Sequence, residues 1–476
     1  MLDALNPEQR KVVTDVLDGT AAAVASRRAR IGPPYCVLGP PGTGKTLTVV
    51  SAAAAVLESD PNARILLCAP AAFAADVLCS RLADASLLHA DQTANSRCFT
   101  HIFIDEAGQA TVPESLVPLR LVTLNCKAVV LAGDPMQLGP VVHSGVAARG
   151  SADGILRSGL MTSLLEQAAA HHAHPQARAT VQARCMRLVR NYRSHKDIID
   201  LPSKLFYRNS LVACVDDSAN SKPPPRLARV LFYGVRGRQA REGSGEAPSF
   251  FNAVEAQELV NLVETWLSRG GGGSNDDDAD DDGLKVSDVG VVAPYRSQVI
   301  RVRNLLRARN LGAVRVGTVD DYQGQEEKVM FISTVVAGEA SVAGLALGFL
   351  ACPRRFNVAI SRARALNVVV GHPVALTHWP HWHSLLQHCY SRGAFLGSGS
   401  EFIPRLGGGR ENVDPALDSV VGDVEPDDEA DFEELKRAVD RMAEMSLLGG
   451  GDDMWPDDGD MMASAFQEDR EWRVAL

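Results

Sequence analysis

The sequence predicts an α/β protein with two domains, each built on a parallel sheet, followed by an acidic and mostly disordered C-terminal tail. The 476 residues provide enough chain for two to three domains with their own cores. Short β-branched apolar runs alternate with helical patterns, as in βαβ units with buried parallel strands. From about residue 406 onward Gly and Asp dominate, and such a composition cannot form a core.

The first domain is expected over residues 1–186. Its strands are predicted from apolar runs of strand length that are bounded by turn residues. These runs are YCVLG (35–39), RILLCAP (64–70), HIFIDE (101–106) and AVVLAGD (128–134). The Ala-, His- and Gln-rich residues 168–183 are expected to form a loop.

The second domain is expected over residues 187–405, with the tail over 406–476. A Gly- and Asp-rich stretch, SRGGGGSNDDDADDDG (268–283), interrupts it and is predicted to be a flexible surface insertion. Its strands are predicted at RVLFYGV (229–235), DVGVVAPY (288–295), RVGTV (315–319), KVMFIST (328–334) and LNVVVGHP (366–373).

The charge is distributed unevenly along the chain, which has a net charge of −10. Residues 407–476 contain 21 acidic and 6 basic residues, whereas the rest contains 42 basic and 37 acidic residues. A basic body with an acidic tail favours a nucleic-acid binder, although an ordinary solvated surface stays an alternative. No stretch approaches the roughly 18 apolar residues of a membrane span, so no membrane partner is expected.

The eight residues GPPGTGKT directly follow a predicted strand and open a predicted helix. In this context backbone N–H groups at a helix N-terminus surround phosphate oxygens. Lys45 is expected to reach the β- and γ-phosphates, and the Thr46 hydroxyl to bind Mg²⁺. The nucleotide-binding candidates are Gly39, Pro40, Pro41, Gly42, Thr43, Gly44, Lys45 and Thr46.

Two carboxylates follow the predicted strand of HIFIDE, at the edge where α/β sheets bind ligands. Asp105 is expected to hold Mg²⁺ through its coordination shell, and Glu106 to orient and deprotonate the attacking water. A further strand end, AGDPMQLGP (132–140), places Gln137 near the phosphates. The ordered set predicts nucleoside triphosphate hydrolysis. Arginines of LVRNYRSH and RRFNVAISRARA could stabilise the transferring phosphoryl group.

The ordered motifs resemble those of superfamily 1 helicases of the Upf-type branch, in particular the RNA helicase named after Moloney leukaemia virus and its plant silencing-defective counterpart. The similarity spans nearly everything except the insertion and most of the tail. It is carried by LNPEQ (5–9), GPPGTGKT (39–46), CAPAAFAADVL (68–78), THIFIDEAGQATVPESLV (100–117), LAGDPMQLGPV (131–141), LVRNYRSH (188–195), REGSGEAPSFFNAVEA (241–256), APYRSQV (293–299), VGTVDDYQGQE (316–326) and RRFNVAISRARA (354–365).

The resemblance implies two tandem RecA-like P-loop domains that use ATP and Mg²⁺ to act on single-stranded RNA in the 5′→3′ direction. It implies a role in RNA silencing or surveillance, with Argonaute-type silencing proteins or RNA-decay factors as partners. It also implies a cytoplasmic location, with RNA granules as one option. Two alternatives stay open: a non-unwinding RNA-binding scaffold switched by nucleotide, and a DNA helicase of the same architecture.

The resemblance also assigns roles to individual residues. Gln9 is expected to read adenine, and Gln137 to sense the γ-phosphate. The remaining nucleotide contacts are Tyr192 beside the base, Glu326 near the ribose or γ-phosphate, and Arg193 and Arg362 as arginine fingers. The nucleic-acid contacts are Ala69, Pro70, Pro294, Tyr295 and Thr318; for Tyr295, packing in the core is an equal alternative.

The chain departs from the family pattern on the nucleic-acid side. Ala71 and Ala72 stand where the family has Ser and Asn, so two polar groups near the RNA are lost. The segment between residues 85 and 100 is short and has no β-like run, so we expect the first sheet to have one strand fewer. We also expect the accessory β-barrel, which precedes the adenine-reading motif in the family, to be lacking.

Overall fold

The computed structural model describes residues 5–25, 33–84, 99–123, 125–141, 161–173, 184–215, 228–242, 249–270, 284–337, 349–398 and 473–475. These residues divide into two units, which we describe separately. The first comprises Met1–Tyr192 together with the C-terminal segment Met454–Leu476, and the second comprises Arg193–Asp453. None of the helices in the described ranges is both long enough and apolar enough to cross a membrane.

The first unit contains a six-stranded sheet in the order β16-β2-β3-β4-β1-β5. Neighbouring strands run parallel, except that β16 pairs antiparallel with β2. The strands of this unit are β1 (Tyr35–Leu38), β2 (Ile65–Ala69), β3 (His101–Ile104), β4 (Ala128–Gly133), β5 (Cys185–Arg187), the short β6 (Arg190–Asn191) and, at the chain end, β16 (Arg473–Ala475).

Helices cover both faces of this sheet. Alternate strand residues such as Val37, Leu67 and Phe103 share one buried cluster with residues of α1 to α3, and their neighbours Leu66 and Ile102 share another with α5. Burial on both faces explains why the strands are apolar throughout instead of alternating. The helices are α1 (Pro7–Ala25), α2 (Lys45–Ser59), α3 (Ala72–Asp84), α4 (Val112–Leu119) and α5 (Leu164–Ala173).

The four strands predicted for the first domain are all present, but three features differ from the prediction. The expected loop over 168–183 is wrong for residues 168–173, which continue α5, because alanine strongly favours the helix. Strand β5 was missed since its three residues, CMR, form no apolar run. Strand β16 lies in the predicted disordered tail and restores a sixth strand to the sheet. Residues 85–98, where a strand was expected to be missing, lie outside the described residues.

The second unit contains a six-stranded, wholly parallel sheet in the order β12-β11-β13-β14-β8-β15. A separate antiparallel pair is formed by β9 and β10. The strands of this unit are β7 (Val212–Ala213), β8 (Val230–Gly234), β9 (Ala240–Glu242), β10 (Ser249–Phe251), β11 (Val289–Val292), β12 (Arg315–Gly317), β13 (Glu327–Ser333), β14 (Ala363–Gly371) and β15 (Phe395–Gly397).

All five strands predicted for the second domain are present as β8 and β11 to β14, whereas β7, β9, β10 and β15 are too short to show a pattern. The helices of this unit are α6 (Lys196–Phe206), α7 (Ala253–Gly270), α8 (Arg296–Ala308), α9 (Pro353–Ile360), α10 (Pro373–Leu376) and α11 (Pro380–Ser391). Helix α7 extends three residues into the predicted insertion, and residues 271–283 lie outside the described residues. The predicted fold class, α/β with parallel sheets, is confirmed.

Candidate nucleotide-binding site

The loop between β1 and α2 has the backbone of a phosphate cradle. Gly42 and Gly44 adopt left-handed φ angles of 70° and 80°. A Cβ atom at Gly44 would lie 2.7 Å from Gln9 Nε2, and one at Gly39 would lie 2.1 Å from Lys45 Cγ. Glycine is therefore favoured at Gly44 by its left-handed φ and at Gly39 by the close approach of the Lys45 side chain. Helix α2 begins at Lys45, so its free N–H groups lie at the end of this loop, where they can bind an anion.

Lys45, Thr46 and Asp105 lie together beside the loop. Lys45 Nζ donates to the Gly39 carbonyl oxygen at 2.7 Å, and Thr46 Oγ1 donates to Asp105 Oδ2 at 2.8 Å. Asp105 is buried, and burial together with the nearby Glu106 charge raises its pKa to about 6, against the opposing effect of the Thr46 hydrogen bond. A hydroxyl and a carboxylate are the oxygen ligands that Mg²⁺ prefers, so this pair fits the ion.

Glu106 is held in an unusual backbone conformation next to this pair. Its φ angle is 49°, which is left-handed and unfavourable for a residue other than glycine. Its Oε1 atom lies 3.9 Å from Lys45 Nζ, and its Oε2 accepts a hydrogen bond from Gln109 Nε2 at 3.2 Å. The carboxylate thus lies beside Lys45, the predicted phosphate-binding residue, and the role of Glu106 as the base that activates water stays a prediction.

Gln137 lies at the end of the neighbouring strand β4. Its Nε2 atom donates to Asp134 Oδ2 at 2.8 Å, and both side chains are buried. The loop after β1 is tied to the same strand, because the Gly39 N–H donates to the Gly133 carbonyl oxygen at 3.0 Å. The structure therefore brings Gln137 and the phosphate loop to one edge of the sheet. Asp134 fixes the orientation of the amide.

Gln9 and Tyr192 lie on the other side of the loop. The Gln9 side chain is 2% exposed; its Nε2 donates to the Thr43 carbonyl oxygen at 3.1 Å and its Oε1 accepts from the Asn6 N–H at 3.1 Å. These two bonds use one amide hydrogen and one lone pair, and the reading of adenine by the other two stays a prediction. Tyr192 is 48% exposed, its hydroxyl accepts from Asn6 Nδ2, and its N–H donates to the Gly42 carbonyl oxygen.

Two contacts that the sequence did not predict join the segment before Tyr192 to the loop and to helix α1. Asn191 Nδ2 donates to the Pro41 carbonyl oxygen at 2.7 Å, and the Asn191 side chain is buried. Arg190 forms an ion pair with Glu8 on α1. In the sequence Asn191 is indistinguishable from an ordinary polar surface residue. Only the structure shows that it is buried beside Tyr192.

In the second unit, Arg193 and Glu326 form an ion pair, and Arg193 Nη1 also donates to the Ser361 carbonyl oxygen at 3.3 Å. Glu326 pairs with Arg364 as well, whose Nε donates to it at 2.9 Å. Burial alone would raise the pKa of Glu326, but the two arginine charges hold it below the usual value. Arg364, which the sequence did not single out, therefore shares this carboxylate with Arg193, and each guanidinium contacts a different oxygen.

Arg362 lies between α9 and β14 and is 1% exposed. Its Nε donates to the Val358 carbonyl oxygen at 3.0 Å and its Nη2 donates to Ser361 Oγ at 3.1 Å. To bind a phosphate, this guanidinium has to exchange contacts within its own unit. Its role as an arginine finger stays a prediction.

The predicted nucleic-acid contacts all follow the carboxyl ends of parallel strands. In the first unit Ala69 is the last residue of β2 and Pro70 follows it, whereas in the second unit Pro294 and Tyr295 follow β11 and Thr318 follows β12. This is the edge at which α/β sheets bind ligands.

Two of these side chains have contacts within the second unit. The Tyr295 ring packs edge-on against Phe250 at 5.3 Å between centroids, and burial raises its pKa. Thr318 Oγ1 donates to Asp321 Oδ2 at 2.8 Å. Packing therefore occupies one edge of the Tyr295 ring, and base stacking by this ring stays a prediction.

The fold and the site define a P-loop nucleotide-binding protein with two α/β domains. Two family models, each described as an AAA domain, match residues 4–184 and 160–374. Among curated proteins, the RNA helicase Mov10l1 of Homo sapiens is 34% identical over 83% of this chain and 35% of its own length. The Gallus gallus protein named "Putative helicase MOV-10" is 33% identical over 82% of this chain and 47% of its own length.

The Drosophila melanogaster protein named "Probable RNA helicase armi" is 27% identical over 83% of this chain and 39% of its own length. This chain is therefore a homologue of the Mov10-type RNA helicases, and the resemblance expected from the motifs is confirmed. The chain spans less than half the length of these relatives.

Proposed function

We propose that this protein is an ATP-hydrolysing RNA helicase. The observation that carries the proposal is the grouping of Lys45, Thr46, Asp105 and Glu106 around one glycine-rich loop, with Thr46 and Asp105 already hydrogen-bonded to each other. This grouping supplies the charges that phosphoryl transfer requires. The relatives named as RNA helicases support RNA as the nucleic acid.

In the proposed reaction, Lys45 exchanges its contact with the Gly39 carbonyl for the β- and γ-phosphates of ATP. Thr46 and Asp105 would hold Mg²⁺, and the ion would supply positive charge next to those phosphates. Glu106 accepts a proton from the attacking water, and its left-handed backbone keeps the carboxylate on the phosphate side. The hydrogen bond from Gln137 to Asp134 orients the Gln137 amide near the γ-phosphate.

We further propose that Arg193 and Arg362 stabilise the charge that develops on the transferring phosphoryl group. For Arg193 this requires exchange of its ion pair with Glu326. Arg364 contacts the same carboxylate and can compensate that charge when Arg193 moves away. Glu326 thus stays ionised and paired with a guanidinium whether or not Arg193 has moved, which is consistent with its lowered pKa.

The finer assignments are part of the same proposal: single-stranded RNA as the track, movement in the 5′→3′ direction, and a role in RNA silencing or surveillance. Argonaute-type proteins or RNA-decay factors as partners, and a cytoplasmic site of action, are proposed from the relatives' family alone. Ala71 and Ala72, in place of the family's Ser and Asn, weaken RNA binding, since each lost hydrogen bond costs about 0.5–1.5 kcal/mol of binding free energy.

Strand displacement on tailed duplexes tests this proposal. The protein with ATP should displace the strand of an RNA duplex with a 5′ single-stranded tail, but not that of a duplex with a 3′ tail. A protein that binds RNA and hydrolyses ATP without displacing either strand would be a nucleotide-switched scaffold. Equal or faster displacement on the matching DNA duplex would identify a DNA helicase and contradict RNA as the substrate.

A further inference from the structure

The backbone groups on the outer edge of β2 need hydrogen-bonding partners from another segment. Strand β2 has the sequence ILLCA, with neither charge nor proline, and pairs with β3 on its inner side. An apolar strand with an open edge presents a row of unpaired N–H and C=O groups and invites pairing with other chains. Natural sheets protect such edges, so we expect another segment to pair with the outer edge of β2, opposite β3.

The chain's last residues supply this cover. Strand β16 pairs antiparallel with β2, with Arg473 opposite Ala69, Val474 opposite Cys68 and Ala475 opposite Leu67. Its backbone also lies within 8 Å of helix α3. The added strand is short and contains an arginine, two features that prevent further pairing at the new edge.

The register identifies which backbone groups are involved. The Cys68 carbonyl oxygen accepts from the Asp105 N–H at 2.8 Å, so the backbone groups of Cys68 point toward β3. Because successive residues of a strand point their backbone groups to opposite sides, those of Leu67 and Ala69 point outward. These two residues exchange hydrogen bonds with Ala475 and Arg473, whereas the N–H of Val474 points away from β2.

This pairing ends at the candidate nucleic-acid contacts. Ala69 is the last residue of β2, and Pro70 follows it directly in the chain. The hydrogen bonds between Ala69 and Arg473 therefore fix the backbone position at which Pro70, Ala71 and Ala72 begin.

We propose that the outer edge of β2 is a strand-addition surface, that its occupant is the C-terminal segment of the same chain, and that the added strand positions Ala69 and Pro70 for RNA. The occupant is argued from the observed register. It is also argued from chain length, since residues 399–472 can extend on the order of 100 Å or more. The RNA part rests on the proposed function, whereas the strand part is independent of it.

Hydrogen exchange read at single residues tests the strand part. In the full chain the amides of Leu67 and Ala69 should be protected, and deletion of residues 472–476 should accelerate their exchange by at least about 10-fold. The amides of Leu66 and Cys68, which face β3, should not change. Unaltered exchange at Leu67 and Ala69 would overturn the proposal.

A matched pair of proline variants keeps the test valid if the deletion unfolds the protein. Ala475→Pro removes an N–H that donates to Leu67, and it should reproduce the effect of the deletion. Val474→Pro removes an N–H that points away from β2, and it should leave most of the protection. Equal effects of both variants, or protection that appears only at high protein concentration, would contradict pairing within one chain.

Binding of a single-stranded oligoribonucleotide tests the RNA part. The deletion and Ala475→Pro should weaken binding on the order of 5-fold, about the value of one net hydrogen bond, and Val474→Pro should not. Faster exchange without weaker RNA binding would overturn the positioning role. If the unmodified protein fails to bind RNA, the proposed function fails, and the exchange measurement still decides the strand part.

Discussion

Replacing Glu255 with Gln should change how the stability of the second unit depends on pH. Glu255 lies fully buried in the first turn of α7. Its Oε1 accepts hydrogen bonds from Ser333 Oγ at 2.5 Å, from the Thr334 N–H at 2.6 Å and from the Val335 N–H at 2.8 Å. Val335 has a φ angle of 68°, which is strained for a β-branched residue, so Glu255 holds a strained turn at the end of β13.

Burial raises the pKa of Glu255 from 4.5 to about 7, although its three hydrogen bonds act in the opposite direction. Because the folded pKa is above the unfolded one, the contribution of this group to stability is complete below pH 4.5 and is lost as the pH rises through 7. A shift of this size corresponds to a loss of about 3 kcal/mol. Glu255→Gln cannot ionise and keeps an acceptor oxygen, so its stability relative to the unmodified protein should rise by up to that amount between pH 5 and pH 8.

Urea unfolding followed by tryptophan fluorescence measures this difference. Trp266, Trp379 and Trp382 lie in the second unit, whereas Trp455 and Trp472 lie in the C-terminal segment of the first unit. Both proteins therefore carry Trp455→Phe and Trp472→Phe, so that the signal reports the second unit. Glu264→Gln on the exposed side of the same helix is the control and should show no such trend. A stability difference for Glu255→Gln that stays constant or falls with pH would refute the reasoning.

Three further outcomes are expected. Glu106→Gln should lower the kcat of ATP hydrolysis by roughly 10²- to 10⁴-fold in a phosphate-release assay, with ATP affinity unchanged in a binding titration; an unaltered kcat would exclude Glu106 as the base. Arg193→Ala should lower kcat by roughly 10³-fold or more, and Arg193→Lys should restore little of it, because lysine lacks the planar fork that holds phosphate; full activity of the Ala variant would remove Arg193 from the site. Thr111→Ala should lower the stability of the first unit by about 1 kcal/mol in thermal unfolding, because Thr111 forms a capping box with Glu114 at the start of α4; Thr111→Ser should be near neutral, and equal losses in both would contradict the cap.

The sequence predicted the long strands of both sheets because their apolar runs reflect burial on two faces. The strands it missed are three residues long or shorter, and such strands form because a neighbouring strand offers free backbone groups. Strand β16 is the clearest example. Nothing in its sequence shows that β2, some 400 residues earlier, has an open edge.

The sequence also predicted the grouping of Lys45, Thr46 and Asp105, since the spacing of the motif fixes their positions on one loop and one strand. It did not predict the left-handed backbone of Glu106 or the bond between Asn191 and Pro41. Both depend on the packing of residues that are distant in the chain.

Phosphate release from ATP is the most direct test of the central claim that Lys45, Thr46, Asp105 and Glu106 form a hydrolytic site. We expect that the full chain releases phosphate, that single-stranded RNA accelerates this release, and that Lys45→Ala reduces it to the background without ATPase activity. Release by the Lys45→Ala variant at the rate of the unmodified protein would contradict the account.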